Sequence, residues 1–355
     1  MWDKAMTNNV FFRNKVTTIN GIMCALVAFL HSENVDRYSD SIGGIALLES
    51  FISKTLGDIA VPTFFFMSAI LFFQNYDLSR IWSKYKSRIS SVVIPYLLWN
   101  LLYFVLFFVL TNNPLSGSFM DTKAVTIDAK VLVDSILFHQ YNRVYWFMYQ
   151  LILFILISPI VYVVMKNPYG IAVVPGFIVL GYRFPNIPNV PNGIIINSLI
   201  YWLLGAYFVL HARDWIYNRS SKKKIYLTLS FSAALILVRF YLECVNQQFE
   251  VSGYVLNLLL LPNIIALWFA LDIFKFNHIY GWMKMSFFIY SMHPLIVDTI
   301  KKAVSVLLPE NNVIVLGNYI VSAVGGIMIS AGIAKIMVRF TPQIYRVLCG
   351  GRSAA

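Results

Sequence analysis

The stretch "TTINGIMCALVAFLHSENVDR", residues 17 to 37, decides the fold. Its apolar run begins at Asn20 and ends at His31, and with the flanking residues it has the length that an α-helix needs to cross a bilayer. Asn20 and His31 are eleven residues apart, so both project from one helix face, about 16 Å apart along the axis. From spacing alone, His31 is either an interfacial histidine solvated by the residues after it or a functional group carried by the helix.

Composition extends the membrane prediction to the whole chain. Of its 355 residues, 59% are hydrophobic and 12% are charged, with a mean hydropathy of +0.69. Soluble domains carry about 25% charged residues, so lipid is expected to surround much of this chain. Cys24, Cys244 and Cys349 lie far apart, which predicts neither a disulfide framework nor a metal site. The first helix is expected to act as an uncleaved signal anchor.

Apolar runs predict an all-α, polytopic protein whose residues 1–355 form a single transmembrane domain. Each run is roughly long enough to cross a hydrocarbon core about 30 Å thick, and the fifth is the shortest. Prolines inside the runs are expected to kink helices rather than end them. The ten predicted spans are 16–34, 58–75, 89–111, 145–165, 170–183, 194–211, 225–244, 254–274, 283–302 and 313–338.

The distribution of lysine and arginine predicts the orientation. With both termini in the cytoplasm, the basic connections 76–88 and 212–224 face inside, as such loops do in membrane proteins. Topology therefore accounts for the net charge of +12, and no nucleic-acid partner is expected. The longer connections, 35–57 and 112–144, are predicted to face outside. The second contains an amphipathic segment, 130–139, that is expected to lie along the surface.

Polar groups inside spans are costly and therefore mark candidate sites. Ser286, Tyr290 and His293 recur at i, i+4 and i+7 on one face of the ninth span, where they form either a relay or an ordinary helix contact. Ser68 lies inside the second span. In the seventh span, Arg239 and Glu243 form an i,i+4 pair that either stabilises the helix or binds an acceptor.

Two further groups lie near the predicted membrane surfaces. One gathers aromatic and hydrogen-bonding residues at the predicted outer interface, a mixture that suits a sugar although an aromatic belt explains its Tyr and Trp. The other is the basic loop 76–88, which topology explains and which a phosphate-rich cytosolic donor would also use. Their members are His139, Arg143, Tyr145, Trp146 and Gln150 in the first group, and Arg80, Lys84, Lys86 and Arg88 in the second. The sequence contains no Walker motif, GxGxxG fingerprint or Ser-His-Asp order.

Four stretches taken together resemble the bacterial membrane acyltransferase 3 family. They are "INGIMCALVAFLH" (19–31), "VPTFFFMSAILF" (61–72), "YWFMYQL" (145–151) and "SFFIYSMHPLIV" (286–297). Each stretch alone matches the family only loosely, but the four occur in the family's order and spacing and extend over nearly the whole chain. The resemblance implies transfer of an acyl group, usually acetyl from cytoplasmic acetyl-CoA, to a hydroxyl of a surface glycan. Acetyl-CoA would be a co-substrate, with no permanently bound cofactor.

The resemblance also assigns roles to residues of the first helix. The family's first-helix histidine corresponds to His31, which would be the catalytic base; histidine suits this task because its unperturbed pKa is about 6.5. The sequence departs from the family pattern at Asn20, where an arginine is usual, and at Thr17 and Ala69. Arg13 or Lys15 is expected to substitute for the missing arginine in binding the donor.

The expected setting is the plasma or inner membrane. The expected partners are the lipid bilayer, a surface glycan or exopolysaccharide that can be lipid-linked, and a glycan synthase or export machinery. Two other functions stay open from the residues themselves. A polytopic exporter of a polysaccharide or lipid-linked unit would use polar stripes equally well, whereas a scaffold for a synthase complex would not need them.

Overall fold

The structure, a computed structural model, describes residues 10–34, 43–113, 124–187, 192–249, 253–276, 279–309 and 311–352. This part of the chain is nearly all helical. Its two strands are short: β1 (Asn186–Ile187) and β2 (Ile194–Ile195) pair antiparallel, with Asn186 opposite Ile195. The prediction of an all-α protein is therefore confirmed.

The first half of the chain contains nine α-helices, counted over the described residues, with short 3₁₀ and π segments between them. Several of these segments join neighbouring helices without a loop. The α-helices are α1 (Val10–Ser32), α2 (Gly43–Ser50), α3 (Ala60–Phe73), α4 (Ile81–Arg88), α5 (Ile94–Asn112), α6 (Ala129–Leu137), α7 (Trp146–Leu156), α8 (Ser158–Lys166) and α9 (Val173–Arg183). The π segments are Phe51–Leu56 and Ile89–Val93, and the 3₁₀ segments are Gly57–Ile59, Leu78–Arg80, Arg143–Tyr145 and Pro168–Ala172.

The second half continues in the same way. It ends in a long helix followed by a short one that folds back against the bundle. The α-helices are α10 (Ile196–His211), α11 (Arg213–Tyr217), α12 (Lys222–Phe249), α13 (Gly253–Leu258), α14 (Leu260–Ala270), α15 (Gly281–Lys284), α16 (Ser286–Leu307), α17 (Asn312–Phe340) and α18 (Pro342–Leu348), with a 3₁₀ segment at Leu271–Phe274.

Several of these helices make the chain a multi-pass membrane protein. Over the described ranges, six helices are long and apolar enough to cross a bilayer, and a bent pair, Arg143–Leu156 and Ser158–Lys166, would add a seventh if its 65° bend lies within one span. The predicted count of ten spans and the orientation stay predictions. The six helices are Val10–Ser32, Gly44–Phe73, Leu78–Asn112, Lys222–Val245, Leu256–Phe274 and Asn312–Phe340.

Two predicted loops are helical instead. The outer loop predicted at 35–57 is wrong from Gly43 onward, where the chain is helical into the second span; residues 35–42 lie outside the described residues. At least one polar side chain of this stretch bonds inside the bundle, since Ser53 donates to the Phe29 carbonyl at 3.0 Å. The connection predicted at 76–88 is likewise helical from Leu78.

The amphipathic segment predicted at 130–139 does form a helix, α6. It runs alongside α5 rather than across the end of the bundle, because side chains of α5 bond to it along its length. Asn112 donates to the Val125 carbonyl at 2.9 Å, and Asn100 donates to the Ile136 carbonyl at 3.1 Å. Residues 125–137 therefore extend from the Asn112 end of α5 toward its beginning.

The bundle has two chemically different ends. We call the end where α1 begins the basic end and the end where α1 finishes the far end. At the basic end, Lys15 Nζ lies 2.7 Å from Asp272 Oδ1, and both side chains are fully buried. Asp272 also accepts from the Ser220 amide at 2.9 Å, and Lys15 Nζ lies 4.1 Å from the Trp268 ring centroid. This ion pair joins α1 to the segment that follows α14.

Helices α3 and α10 approach each other closely at Gly205. A Cβ on Gly205 would lie 2.2 Å from the Phe66 carbonyl oxygen and 2.8 Å from Ala69 Cβ. We expect Gly205→Val to lower the free energy of unfolding by about 1–3 kcal/mol, since overpacking forces the two helices apart. Denaturant unfolding in detergent measures the effect. Gly332→Val on α17, where a Cβ meets nothing within 4 Å, is the control, and an equal loss there would contradict the explanation.

Candidate functional site

Helices α1 and α16 lie side by side and run in the same direction. Cys24 Sγ donates to the Ser286 carbonyl at 3.4 Å, and the ring centroids of His31 and His293 lie 5.4 Å apart. These contacts are seven residues apart on each helix, so the two helices are in register over two turns. The polar stripes predicted separately on the first and ninth spans therefore face each other.

The two histidines have different surroundings. His293 is fully buried, and its Nδ1 lies 2.9 Å from the Ile289 carbonyl. A carbonyl only accepts, so Nδ1 carries the proton and Nε2 of the neutral ring is an acceptor. In the described part of the chain, that Nε2 has no hydrogen-bond partner. His31 is half-buried, and its ring lies beside that of His293.

Lys301 covers the histidine pair from the far end. Its Nζ donates to the His31 carbonyl at 2.8 Å and lies 3.5 Å from Asp298 Oδ1. Asn318 in turn donates to the Lys301 carbonyl at 3.1 Å. A layer of polar groups thus separates the histidines from the far end of the bundle.

A cavity of about 580 Å³ lies on the basic side of the histidine pair. Its volume is in the range of sites that bind small molecules and cofactors. Residues of α1, α3, α7, α15 and α16 form most of the walls. The lining residues are Arg13, Asn14, Thr17, Asn20, Phe64, Met67, Ser68, Leu71, Phe147, Met148, Leu151, Ile279, Met283, Lys284, Ser286, Phe287, Tyr290 and Arg352.

The charged residues that line the cavity are all cations. Arg13, Lys284 and Arg352 are exposed and contribute to the wall, and none of the eighteen lining residues is acidic. Arg13 stands two turns before Asn20 on α1, which places the cations toward the basic end. Such a cluster favours an anionic ligand, because guanidinium and ammonium groups bind phosphate and carboxylate oxygens strongly.

The other end of the cavity reaches Tyr290. Its ring centroid lies 6.4 Å from that of His293, one helical turn further along α16. The Tyr290 hydroxyl donates to the Val144 carbonyl, and the Tyr145 ring stacks on it with centroids 5.8 Å apart. Tyr290 is therefore held in place at the end of the cavity nearest the histidines, while Ser286, Ser68 and Asn20 line the cavity as polar groups.

Five predicted donor residues lie outside this wall. Lys15 is buried in its ion pair with Asp272, so Arg13 and not Lys15 reaches the cavity. In the basic loop, Lys84 Nζ donates to the Phe72 carbonyl at 3.1 Å, while Arg80 and Lys86 are exposed. The remaining one, Arg88, has its guanidinium 5.4 Å from the Phe72 ring centroid, one turn before Ser91.

The predicted acceptor cluster is held in place by interactions within the bundle. Tyr145 Oη lies 2.7 Å from Ser291 Oγ, and Gln150 donates to the Gly193 carbonyl and accepts from the Ile195 amide, each at 2.9 Å. The Trp146 ring centroid lies 6.1 Å from that of Phe65, and Arg143 is exposed. Of the predicted cluster, therefore, only Arg143 is largely open to solvent.

His139 completes that cluster, and its side chain lies beside the beginning of α5. Its Nδ1 lies 3.2 Å from Tyr96 Oη, sixteen residues or about 24 Å along α5 from Asn112. Burial lowers the pKa of His139 to about 4, so the ring is neutral at pH 7. Its position at the outer interface stays a prediction.

Arg239 and Glu243 form the predicted ion pair, with Arg239 Nε 2.9 Å from Glu243 Oε1. Arg239 also lies 2.5 Å from Asp58, and Thr55 donates to Glu243. The group ties α12 to the segment before α3. It does not line the cavity.

Two charged cavity residues were missed by the sequence-based reasoning. Lys284 lies two residues before Ser286, so its closeness in sequence to a candidate residue was the available signal. Arg352 follows Gly350 and Gly351, which indicate a turn, but nothing in the sequence places that turn beside α16. Its guanidinium lies 4.2 Å from the Phe287 ring centroid.

The comparisons with known proteins agree with this arrangement. The family model described as "Acyltransferase domain" (Acyl_transf_3) matches residues 16–333, which include both histidines and most of the cavity wall. The chain belongs to the acyltransferase 3 family. The resemblance stated from four motifs is confirmed, and the chain is accordingly an acyltransferase-type membrane protein.

Curated relatives extend over nearly the whole chain. "Probable poly-beta-1,6-N-acetyl-D-glucosamine export protein" of Staphylococcus aureus strain MSSA476 is 21% identical over 361 residues, covering 95% of this chain and 96% of the relative. The protein of the same name from strain MRSA252 has the same identity and coverage. No solved structure matches this chain.

Proposed function

We propose that this protein transfers an acyl group, acetyl in the first instance, from acyl-CoA to a hydroxyl of a glycan on the other side of the membrane. One observation carries the proposal: a cavity lined by cations at the basic end of the bundle ends one helical turn from a pair of facing histidines. Anion binding and proton transfer are thus adjacent along one path.

Different parts of the donor would contact different parts of the cavity wall. The phosphates of the nucleotide would lie among Arg13, Lys284 and Arg352, and the pantetheine arm would extend along Phe64, Met67 and Phe287. Ser286 and Asn20 would donate hydrogen bonds to the thioester region. This replaces the earlier expectation that Arg80 to Arg88 hold the phosphates, since those side chains do not line the cavity.

His31 is the proposed catalytic base. Its neutral ring takes the proton of the glycan hydroxyl, and the resulting alkoxide attacks the thioester carbonyl carbon. The C–S bond breaks, the acyl group is now an ester of the glycan, and the CoA thiolate takes the proton from the imidazolium. His293 positions the base, because its Nδ1 proton is held by Ile289 and its Nε2 can accept from the His31 ring.

The membrane arrangement belongs to the same proposal. Ten spans with both termini in the cytoplasm place the basic end of the cavity where acyl-CoA is made, and place Lys301 and the far end toward the acceptor. The chain would lie in the plasma or inner membrane and work beside a glycan synthase or export machinery. The family membership and the multi-pass fold support this arrangement.

Export of a polysaccharide is the second candidate function. It is favoured by the name of the staphylococcal relatives, which cover nearly the whole chain at 21% identity. Against it stands the closed far side of the cavity, where Tyr290, the histidines and Lys301 fill the path. A continuous passage for a polymer would require these groups to move apart.

Acyl transfer and export can be separated with one purified protein. Proteoliposomes receive labelled acetyl-CoA on one side and poly-β-1,6-N-acetylglucosamine on the other, and both labelled ester and polymer flux are measured. We expect ester formation. Polymer flux with no ester on any glycan tested would contradict the proposal and favour export.

A bulky side chain in the cavity should prevent the donor from binding. We expect Ser68→Trp to weaken acetyl-CoA binding at least tenfold, since the indole ring would occupy the space of the pantetheine arm. Ser230→Trp is the matched control, because Ser230 is exposed on α12 away from the cavity. Equal affinity in the Ser68 variant and the wild type would show that the donor binds elsewhere.

A further inference from the structure

The segment 342–352 folds back against the bundle and is anchored at several points. Trp99 Nε1 donates to the Leu348 carbonyl at 3.1 Å, and Arg352 Nη1 donates to the Ser91 and Cys349 carbonyls at 3.2 and 2.8 Å. Gly350 has a φ of +61°, and a Cβ there would lie 2.4 Å from the Ser91 carbonyl oxygen. The backbone can therefore reach Ser91 only because residue 350 is glycine.

This anchoring places the guanidinium of Arg352 in the cavity wall. The Arg352 guanidinium lies over the Phe287 ring at 4.2 Å from its centroid, and both residues line the cavity. Within the described part of the chain, the side-chain hydrogen bonds of Arg352 both use Nη1, which leaves Nη2 and Nε for a ligand. A guanidinium held in this way presents a preorganised fork to a phosphate.

We infer that Arg352 binds a phosphate of the donor's nucleotide, so that the docked segment 342–352 is a working part of the donor site. The inference rests on the proposed function. It also compensates for a feature of α1, where Asn20 lines the cavity without a charge. The cation comes instead from a residue more than 300 positions later in the chain.

Docking of the segment and binding of the donor are then thermodynamically linked. A ligand that binds only the docked form stabilises that form. Any change that favours the undocked form therefore lowers the affinity for the ligand. Gly350→Ala tests this link without removing a cation, because its Cβ would meet the Ser91 carbonyl and its φ would be unfavourable. Arg346→Gln is the matched control: Arg346 is an exposed cation of the same segment that does not line the cavity.

The experiment measures the affinity of purified protein in nanodiscs for acetyl-CoA and for S-acetylpantetheine, which lacks the nucleotide. We expect Arg352→Gln to lower the affinity for acetyl-CoA by about 10- to 100-fold and to leave the affinity for S-acetylpantetheine unchanged. Gly350→Ala should act in the same way, and Arg346→Gln should bind both ligands like the wild type. Acetyl-CoA should also slow amide hydrogen exchange at residues 349–352 in the wild type.

The outcomes separate the two claims. If the wild type binds acetyl-CoA and Arg352→Gln binds it equally well, the role of Arg352 is wrong and the proposed function stands. An equal loss for both ligands would also overturn the phosphate contact, since it indicates a disturbed cavity. If the wild type binds no acetyl-CoA, the proposed function fails and the role of Arg352 fails with it.

Discussion

His31→Gln is expected to lower the rate of acyl transfer by about 10²- to 10⁴-fold while leaving acetyl-CoA affinity near that of the wild type. The range is the usual contribution of a general base. Donor affinity should survive because the donor cavity ends at Tyr290, one turn short of the histidine pair, and His31 does not line it. Transfer of labelled acetyl to the glycan and equilibrium binding of acetyl-CoA measure the two quantities separately.

Two further histidine variants make this test specific. His293→Gln should reduce transfer less than His31→Gln, since His293 acts by positioning the base. His211→Gln is the control: His211 Nε2 bonds to the Met165 carbonyl at 2.8 Å and does not line the cavity. Full activity in the His31 variant would remove this residue from the mechanism. Equal losses in all three variants would point to a general effect on folding.

The largest stability effect is expected at the buried ion pair. Lys15→Met should lower the free energy of unfolding by about 3–5 kcal/mol, because it leaves the Asp272 carboxylate buried without its cation. Asp272→Asn should cost a similar amount, since it leaves the ammonium unpaired. The double variant removes both charges and keeps an amide oxygen to accept from Ser220, so its loss should be smaller than either single loss. Denaturant unfolding in detergent gives all three values.

A surface ion pair supplies the comparison. Lys54 Nζ lies 3.1 Å from Glu33 Oε1, but the Lys54 side chain is 59% exposed. Lys54→Met is therefore expected to change the free energy of unfolding by about 1 kcal/mol or less. If Lys15→Met and Lys54→Met cost the same, burial does not determine the strength of these pairs.

Helical periodicity allowed the two histidines to be identified from the sequence as members of polar helix faces. The spacing of Asn20 and His31, and of Ser286, Tyr290 and His293, placed each set on one helix face, and a buried polar stripe in a membrane helix needs a partner. The structure brings the two stripes together. The same reasoning could not choose the partner helix, because nothing local in either sequence encodes the contact between Cys24 and Ser286.

Charged residues were predicted less well, for a physical reason. Arginine and lysine in loops are required by topology and also bind phosphates, so composition does not distinguish the basic loop around Arg80 from the cavity mouth. Lys15 was expected to hold the donor, and only the structure shows Asp272 beside it.

The register between α1 and α16 constrains how the chain can assemble. Helix α1 enters the membrane first during synthesis, whereas Asp272, His293 and Arg352 are made only after some 240 further residues. Lys15 has no buried counter-ion during that interval and must stay in the lipid headgroup region, so α1 cannot settle at its final depth. Ribosome-nascent chains that stop before residue 272 should therefore expose a cysteine placed at position 16, beside the retained Lys15, to water-soluble reagents, and longer chains should protect it because Val16 is buried in the folded protein. The site therefore combines residues from the first and the last helices, and it is completed only when the last of them have been synthesised.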